Sequence, residues 1–108
     1  FLDQQGGLWA QGKLVNKVVS AMSSAQNPNG GQEATVLALY KTMCHWGAII
    51  VPPGYTDASI FKAGGNPYGT SATIGQDGKM VDDVEEAVKH QAKRTVTVAK
   101  WIKQGKDR

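Results

Sequence analysis

Residues 17–51, KVVSAMSSAQNPNGGQEATVLALYKTMCHWGAIIV, decide the fold. Residues 17–22 (KVVSAM) are a short apolar run of strand length. Residues 23–31 (SSAQNPNGG) cluster Asn, Pro and Gly and read as a loop. Residues 32–46 follow helical spacing. Ala34, Leu37, Ala38, Lys41 and Cys44 share one rough face, and Val36, Leu39, Tyr40 and Met43 another. A helix this apolar around its circumference is expected to be mostly buried. Gly47 is placed to end it, because glycine takes the left-handed C-terminal conformation without steric cost. Residues 48–51 (AIIV) then read as a second strand, apolar on both faces, as a central parallel strand is. Strand, loop, helix, strand in this order implies parallel pairing and an α/β class.

The flanks extend this unit. Upstream, residues 1–12 read as the end of a helix followed by a loop, with Gly6, Gly7 and Gly12 around Leu8 and Trp9. Downstream, residues 52–79 form a long Pro- and Gly-rich stretch, the kind that in compact domains is functional or oligomer-forming. Residues 82–104 read as a last helix capped by Asp82 or Asp83. Its expected buried stripe is Val84, Ala87, Val88, Gln91, Ala92, Thr95, Val98, Ala99 and Ile102. Trp101 is expected to pack and His90 to lie in solvent. Two parallel strands do not make a stable doubly wound sheet alone, so further strands are expected from outside these residues.

The 108 residues are enough for one domain with a modest core. Hydrophobic residues at 41% and charged residues at 19% suit a globular chain rather than a disordered one. The apolar run at residues 48–53 is too short to span a bilayer. A single cysteine, Cys44, excludes an intramolecular disulfide and a zinc cluster, and a reducing cytoplasm is the natural setting. Seven of the twelve Lys and Arg residues lie between Lys89 and Arg108. Asp82, Asp83, Glu85 and Glu86 precede them on the same helix. Acids at the start and bases at the end complement the helix dipole, which favours a solvated helix over a nucleic-acid surface.

The chemistry concentrates in the loop at residues 23–31. It follows a strand and opens a helix, and in open α/β sheets that edge is where ligands bind. A helix N-terminus offers backbone N–H groups, and glycines permit close approach. An ordinary strand-to-helix turn has the same composition. Neither Walker nor dinucleotide spacing is present. His45 lies near a helix end beside Trp46, with no Asp or Glu nearby in sequence to complete a triad. Ser23 and Ser24 lack a nucleophile elbow, which speaks against a hydrolase. Trp9 among glycines is a candidate for an interface or for stacking on a ligand ring. Residues 64–69 (GGNPYG) read as a fixed turn presenting Tyr68.

Four segments, FLDQQGGLW (residues 1–9), SSAQNPNGGQE (residues 23–33), the HWG beginning at His45 and GGNPYG (residues 64–69), resemble the WrbA family in order and spacing. The resemblance runs across nearly the whole chain. It implies a flavodoxin-like, three-layer parallel α/β sheet, of which residues 1–108 form the C-terminal half. The activity it implies is FMN-dependent two-electron transfer from NAD(P)H to a quinone, in a tetramer whose active sites draw residues from neighbouring subunits. Carried over by position, Ser24, Ala25, Gln26, Asn27, Asn29 and Gly30 match the loop that edges the flavin ring through backbone groups. His45 matches the catalytic histidine lining the flavin-side pocket and touching the cofactor, and Trp9 the tryptophan that walls the substrate pocket from another subunit. Asp3 and Tyr68 lie in matching motifs. No metal is implied, nor a nucleic-acid or membrane partner.

The chain departs from that pattern in three ways. Its loop carries Ala25-Gln26-Asn27-Pro28-Asn29 where many relatives are rich in Thr and Gly, and Pro28 removes one N–H donor. Trp46 stands where many relatives have a second histidine. The family's phosphate-binding loop and its other flavin-contacting segment are not in these 108 residues. Two expectations follow. The parent is a quinone reductase, of which this chain holds one wall of the site. Alternatively, this chain by itself is an oligomerising half-domain without bound flavin.

Overall fold

The computed structural model describes residues 2–106. Phe1 of the first motif and Arg108 of the basic run lie outside the described residues. A 3-10 turn, Leu2–Gln5, leads into a short helix α1, Gly6–Ala10. Strands β1 (Val18–Val19) and β2 (Ser23–Ala25) follow, then helix α2 (Gln32–His45) and strand β3 (Ile49–Ile50). A short helix α3 (Ser59–Lys62), strand β4 (Ser71–Thr73) and the long helix α4 (Glu85–Lys106) complete the order.

Pairing is parallel throughout the strands. Val18 and Val19 face Ile49 and Ile50, and residues 23–25 face residues 71–73 in register. The expected strand at 17–22 is therefore only β1, and a second strand, β2, lies wholly within residues read as loop, Ser23 to Ala25. Each strand takes a different partner. Residues 52–70 are inserted between those partners, so the long stretch is not structureless: it carries α3 and delivers β4. What was read as one two-stranded pair is two, and the described residues hold no full three-layer sheet.

Residues 32–45 form the helix almost as expected, and Gly47 ends it at φ +69°. The expectation that it is mostly buried is not met. Only Gln32, Val36 and Tyr40 are buried, while Ala34, Ala38, Lys41 and Cys44 are exposed because no layer covers that face. The last helix begins at Glu85 rather than 82. Just upstream, Met80 bridges Ile74 and the Val81 N–H donates to the Thr73 carbonyl at 2.8 Å, which holds that segment against β4. Of its expected stripe only Val84, Ala87 and Gln91 are buried, and Trp101 is 62% exposed rather than packed. His90, read as solvated, is half-buried, with Nε2 2.7 Å from Thr56 Oγ1.

The core has two parts. Ile60, Ala63, Ala72, Val84 and Ala87 join α3, β4 and α4. Ala21, Val36 and Tyr40, with Leu37, Leu39, Met43 and Ile50 against them, join α2 to β3 and to Ala21 in the segment between β1 and β2. Gln91 links the two parts. It is 1% exposed; its Oε1 accepts from the Thr70 N–H at 2.7 Å and Thr70 Oγ1 at 2.8 Å. Its Nε2 donates to Ser20 Oγ at 2.5 Å and the Ala21 carbonyl at 2.8 Å. A buried amide costs little only when its donors and acceptors are matched, as they are here.

Candidate functional site

The loop after β2 is a built turn rather than a slack connection. The Asn27 side-chain Oδ1 accepts the Asn29 N–H at 2.8 Å, and the Asn27 carbonyl accepts the Gly30 N–H at 2.9 Å. Asn side chains favour such turns because they mimic a backbone acceptor. Gly30 is required by space: a Cβ there would lie 2.6 Å from Ala25 Cβ and 2.9 Å from the Asn27 carbonyl oxygen. Gly31 then precedes α2 at φ +89°, a left-handed conformation suited to glycine. It supplies no side-chain cap.

This turn borders an open cleft of about 610 Å³ between the start of α2 and the inserted segment. From the loop, Pro28, Asn29 and Gly31 line it; from the insertion, Tyr55, Gly64, Gly65, Asn66 and Tyr68 do. Glu33 and Asp82 add carboxylates, and among the described residues no Lys, Arg or His lines the cleft. The Asn66 side chain shapes its far wall, accepting the Tyr68 N–H at 3.0 Å and donating to Ser71 Oγ at 2.7 Å. The buried Tyr40 hydroxyl donates to the Tyr68 carbonyl, which fixes the backbone that presents the exposed Tyr68 ring.

Of the residues read as cofactor-binding, Asn29 lines the cleft. Ser24, Ala25, Gln26, Asn27 and Gly30 form the strand end and the turn behind it. His45 is elsewhere. It is the last residue of α2, exposed, while the loop opens the same helix. Fourteen residues at about 1.5 Å rise separate the two ends by roughly 20 Å. His45 instead meets Trp9: the indole N–H of Trp9 donates to the His45 carbonyl at 2.8 Å, with Trp9 52% exposed. The chain thus holds two separate clusters, loop with cleft at one end of α2 and Trp9 with His45 at the other.

Sequence reasoning missed Gln32, the residue that fastens the loop. It is 6% exposed, and its Nε2 donates to the Asn27 carbonyl at 2.9 Å and Thr73 Oγ1 at 3.2 Å. Its signal was its place, directly after the Gly30-Gly31 pair, where a side chain can reach back over the turn.

The composition of this end fits part of a flavin and not all of it. Neutral amides, glycine backbone and tyrosine rings suit the edge of a polar ring system. A phosphate dianion would face the Glu33 and Asp82 carboxylates with no cationic side chain of the described residues in the cleft.

No family model matches the chain. Among curated proteins it is 56% identical over 97 residues to a Deinococcus radiodurans protein named NAD(P)H dehydrogenase (quinone). The aligned region covers 89% of this chain and 48% of the relative, so the chain spans about half the relative's length.

Proposed function

We propose, from its 56% identity over 89% of its length to a protein named NAD(P)H dehydrogenase (quinone), that this chain is one half of an FMN-dependent quinone oxidoreductase of that family. The observation that carries this reading is the built loop at the carboxyl end of β2, beside a cleft of ring size, in a chain with that relative. When bound, FMN supplies the redox chemistry, taking hydride from NAD(P)H and passing two electrons to a quinone. The loop orients the edge of the ring. Its exposed amides, on Gln26, Asn27 and Asn29, provide hydrogen-bonding groups there, while the phosphate is held by residues outside this chain.

The roughly 20 Å along α2 between the loop and His45 gives the second half of the reading. A ring edged by the loop of one copy is reached by His45 and Trp9 of another copy. In that shared site Trp9 walls the substrate side and His45 lies against substrate and flavin edge, as proton donor or acceptor to the quinone oxygens. A tetramer, as the family resemblance implies, provides such neighbours, and the cytoplasm is the proposed setting.

A second reading has its own support. The chain exposes 7232 Å², whereas a compact monomer of 11.5 kDa exposes about 5,800 Å². That excess favours a half-domain that associates whether or not flavin is bound. Sedimentation of the purified chain with an FMN titration tests both readings. We expect an oligomer that binds FMN weakly, because each missing charge-assisted phosphate contact removes on the order of 1.5–3 kcal/mol. A monomer with submicromolar FMN affinity would contradict the half-site reading. An oligomer with no flavin affinity at all would favour the second.

A further inference from the structure

We propose that Gln32 is the positioning residue of the loop at residues 24–30, fixing its shape separately from the stability of the whole chain. The importance of that shape rests on reading the loop as the flavin-facing wall. Gln32 is the first residue of α2, and its buried side chain turns back over the loop. Its two amide protons serve three acceptors: the Asn27 carbonyl at 2.9 Å, Thr73 Oγ1 at 3.2 Å and, more weakly, the Ala72 carbonyl at 3.4 Å. Its own carbonyl accepts from Ser23 Oγ at 2.8 Å. One residue therefore ties together the start of β2, the turn, the start of α2 and β4.

The geometry gives this tie a purpose that a helix cap would not serve. Gly31 has no side chain to cap α2, so the entry to the helix is held from inside, by Gln32 gripping Asn27. The Asn27 carbonyl is fully used, accepting from Gln32 Nε2 and from the Gly30 N–H. Its side-chain Oδ1 is engaged by the Asn29 N–H. With both oxygens engaged within the turn, Asn27 is a turn-former whose Nδ2 is left for a ligand, and the exposed Gln26 and Asn29 amides flank it. Cutting the Gln32 contact leaves the Asn27 carbonyl held by the Gly30 N–H alone, which loosens the turn that carries these amides. Pro28 restrains only its own φ and cannot replace the tie.

The test is amide hydrogen exchange on the 108-residue chain, read as the ratio of exchange at residues 26–31 to exchange at residues 40–45, the last turns of α2, which hold neither Gln32 nor Gln91. Gln32→Met keeps length and bulk and removes the donor. Gln91→Met is the control, since it cuts an equally buried amide away from the loop. Gln32→Met is expected to raise the ratio about tenfold or more, and Gln91→Met to leave it within about twofold while both lower overall protection. Gln32→Glu supplies an independent arm. Its carboxylate would face oxygen acceptors near neutrality, and protonation would restore one donor. Loop protection, corrected for intrinsic exchange, is expected to return as pH falls. A ratio that stays flat in Gln32→Met, or no return of protection in Gln32→Glu, would overturn the proposal. Lumiflavin, the ring system without phosphate, titrated into the unaltered chain tests the flavin reading separately. Absence of ring binding would sink that reading while exchange still decides the role of Gln32.

Discussion

A methyl group on Gly69 would sit 2.1 Å from the Ala21 carbonyl oxygen and 3.1 Å from Val36 Cγ1. The backbone at Ala21 is itself held by Gln91, so it has little room to give. Gly69→Ala is expected to cost more than about 3 kcal/mol, as forced overpacking in a core does. Gly6→Ala is the matched control: it lies in α1 with nothing within 4 Å of the added carbon, and is expected to be neutral or to stabilise by up to about 1 kcal/mol. Urea unfolding compares the two, and similar midpoints would contradict the packing at Gly69. In the sequence, Gly69 was legible as part of a fixed turn, but not its contact with Ala21, 48 positions away. Gln32 and Gln91 were less legible still. An amide reads as a surface residue, and what buries these two are Ala72, Thr73, Thr70 and Ser20, neighbours only in space.

The elements divide by how they are stabilised. Helix α2 was legible at both ends because its stop signal, Gly47, is local and its apolar spacing is long. Strand β4 was not, because residues 71–73 are three small or hydroxyl side chains in a glycine-rich stretch, and only pairing with β2 makes them strand. The start of α4 was displaced by the tertiary bond from Val81 to Thr73, which no capping signal reveals. Acids in the first turn of α4, bases in the last and the exposed Glu85–Lys89 pair at 3.1 Å are as charge patterning led one to expect of a helix in water. The docking of α1 beside the end of α2 hangs on the Trp9 indole. Trp9→Phe removes its N–H donor while keeping an aromatic ring. The exposed His45 carbonyl can turn to water, so the expected cost is about 0.5 kcal/mol. The measurement is chemical denaturation, and a loss above about 2 kcal/mol would mean that Trp9 is a core residue of its own chain rather than a residue held ready for a neighbour.

At the scale of the whole molecule, the chain is more open than its length requires. Its radius of gyration is 15.1 Å, against about 13 Å for a compact domain of 108 residues. The uncovered side of α2 and the half-buried residues of α4 are where the extra surface lies. The α/β class and parallel pairing were legible in the order of residues 17–51. The covering layers were not, because these faces have no partner within the described residues. The chain is proposed to provide the loop and the Trp9–His45 cluster of a shared flavin site. The most direct measurement is quinone reduction after the chain is reconstituted with the remaining half of its Deinococcus radiodurans relative, with and without His45→Ala. A yellow complex that reduces quinone with NAD(P)H is expected. In it His45→Ala should lower turnover about tenfold, equivalent to about 1.4 kcal/mol, while FMN affinity changes little. A complex in which His45→Ala leaves turnover intact and abolishes FMN binding, or one that assembles without flavin, would contradict the account.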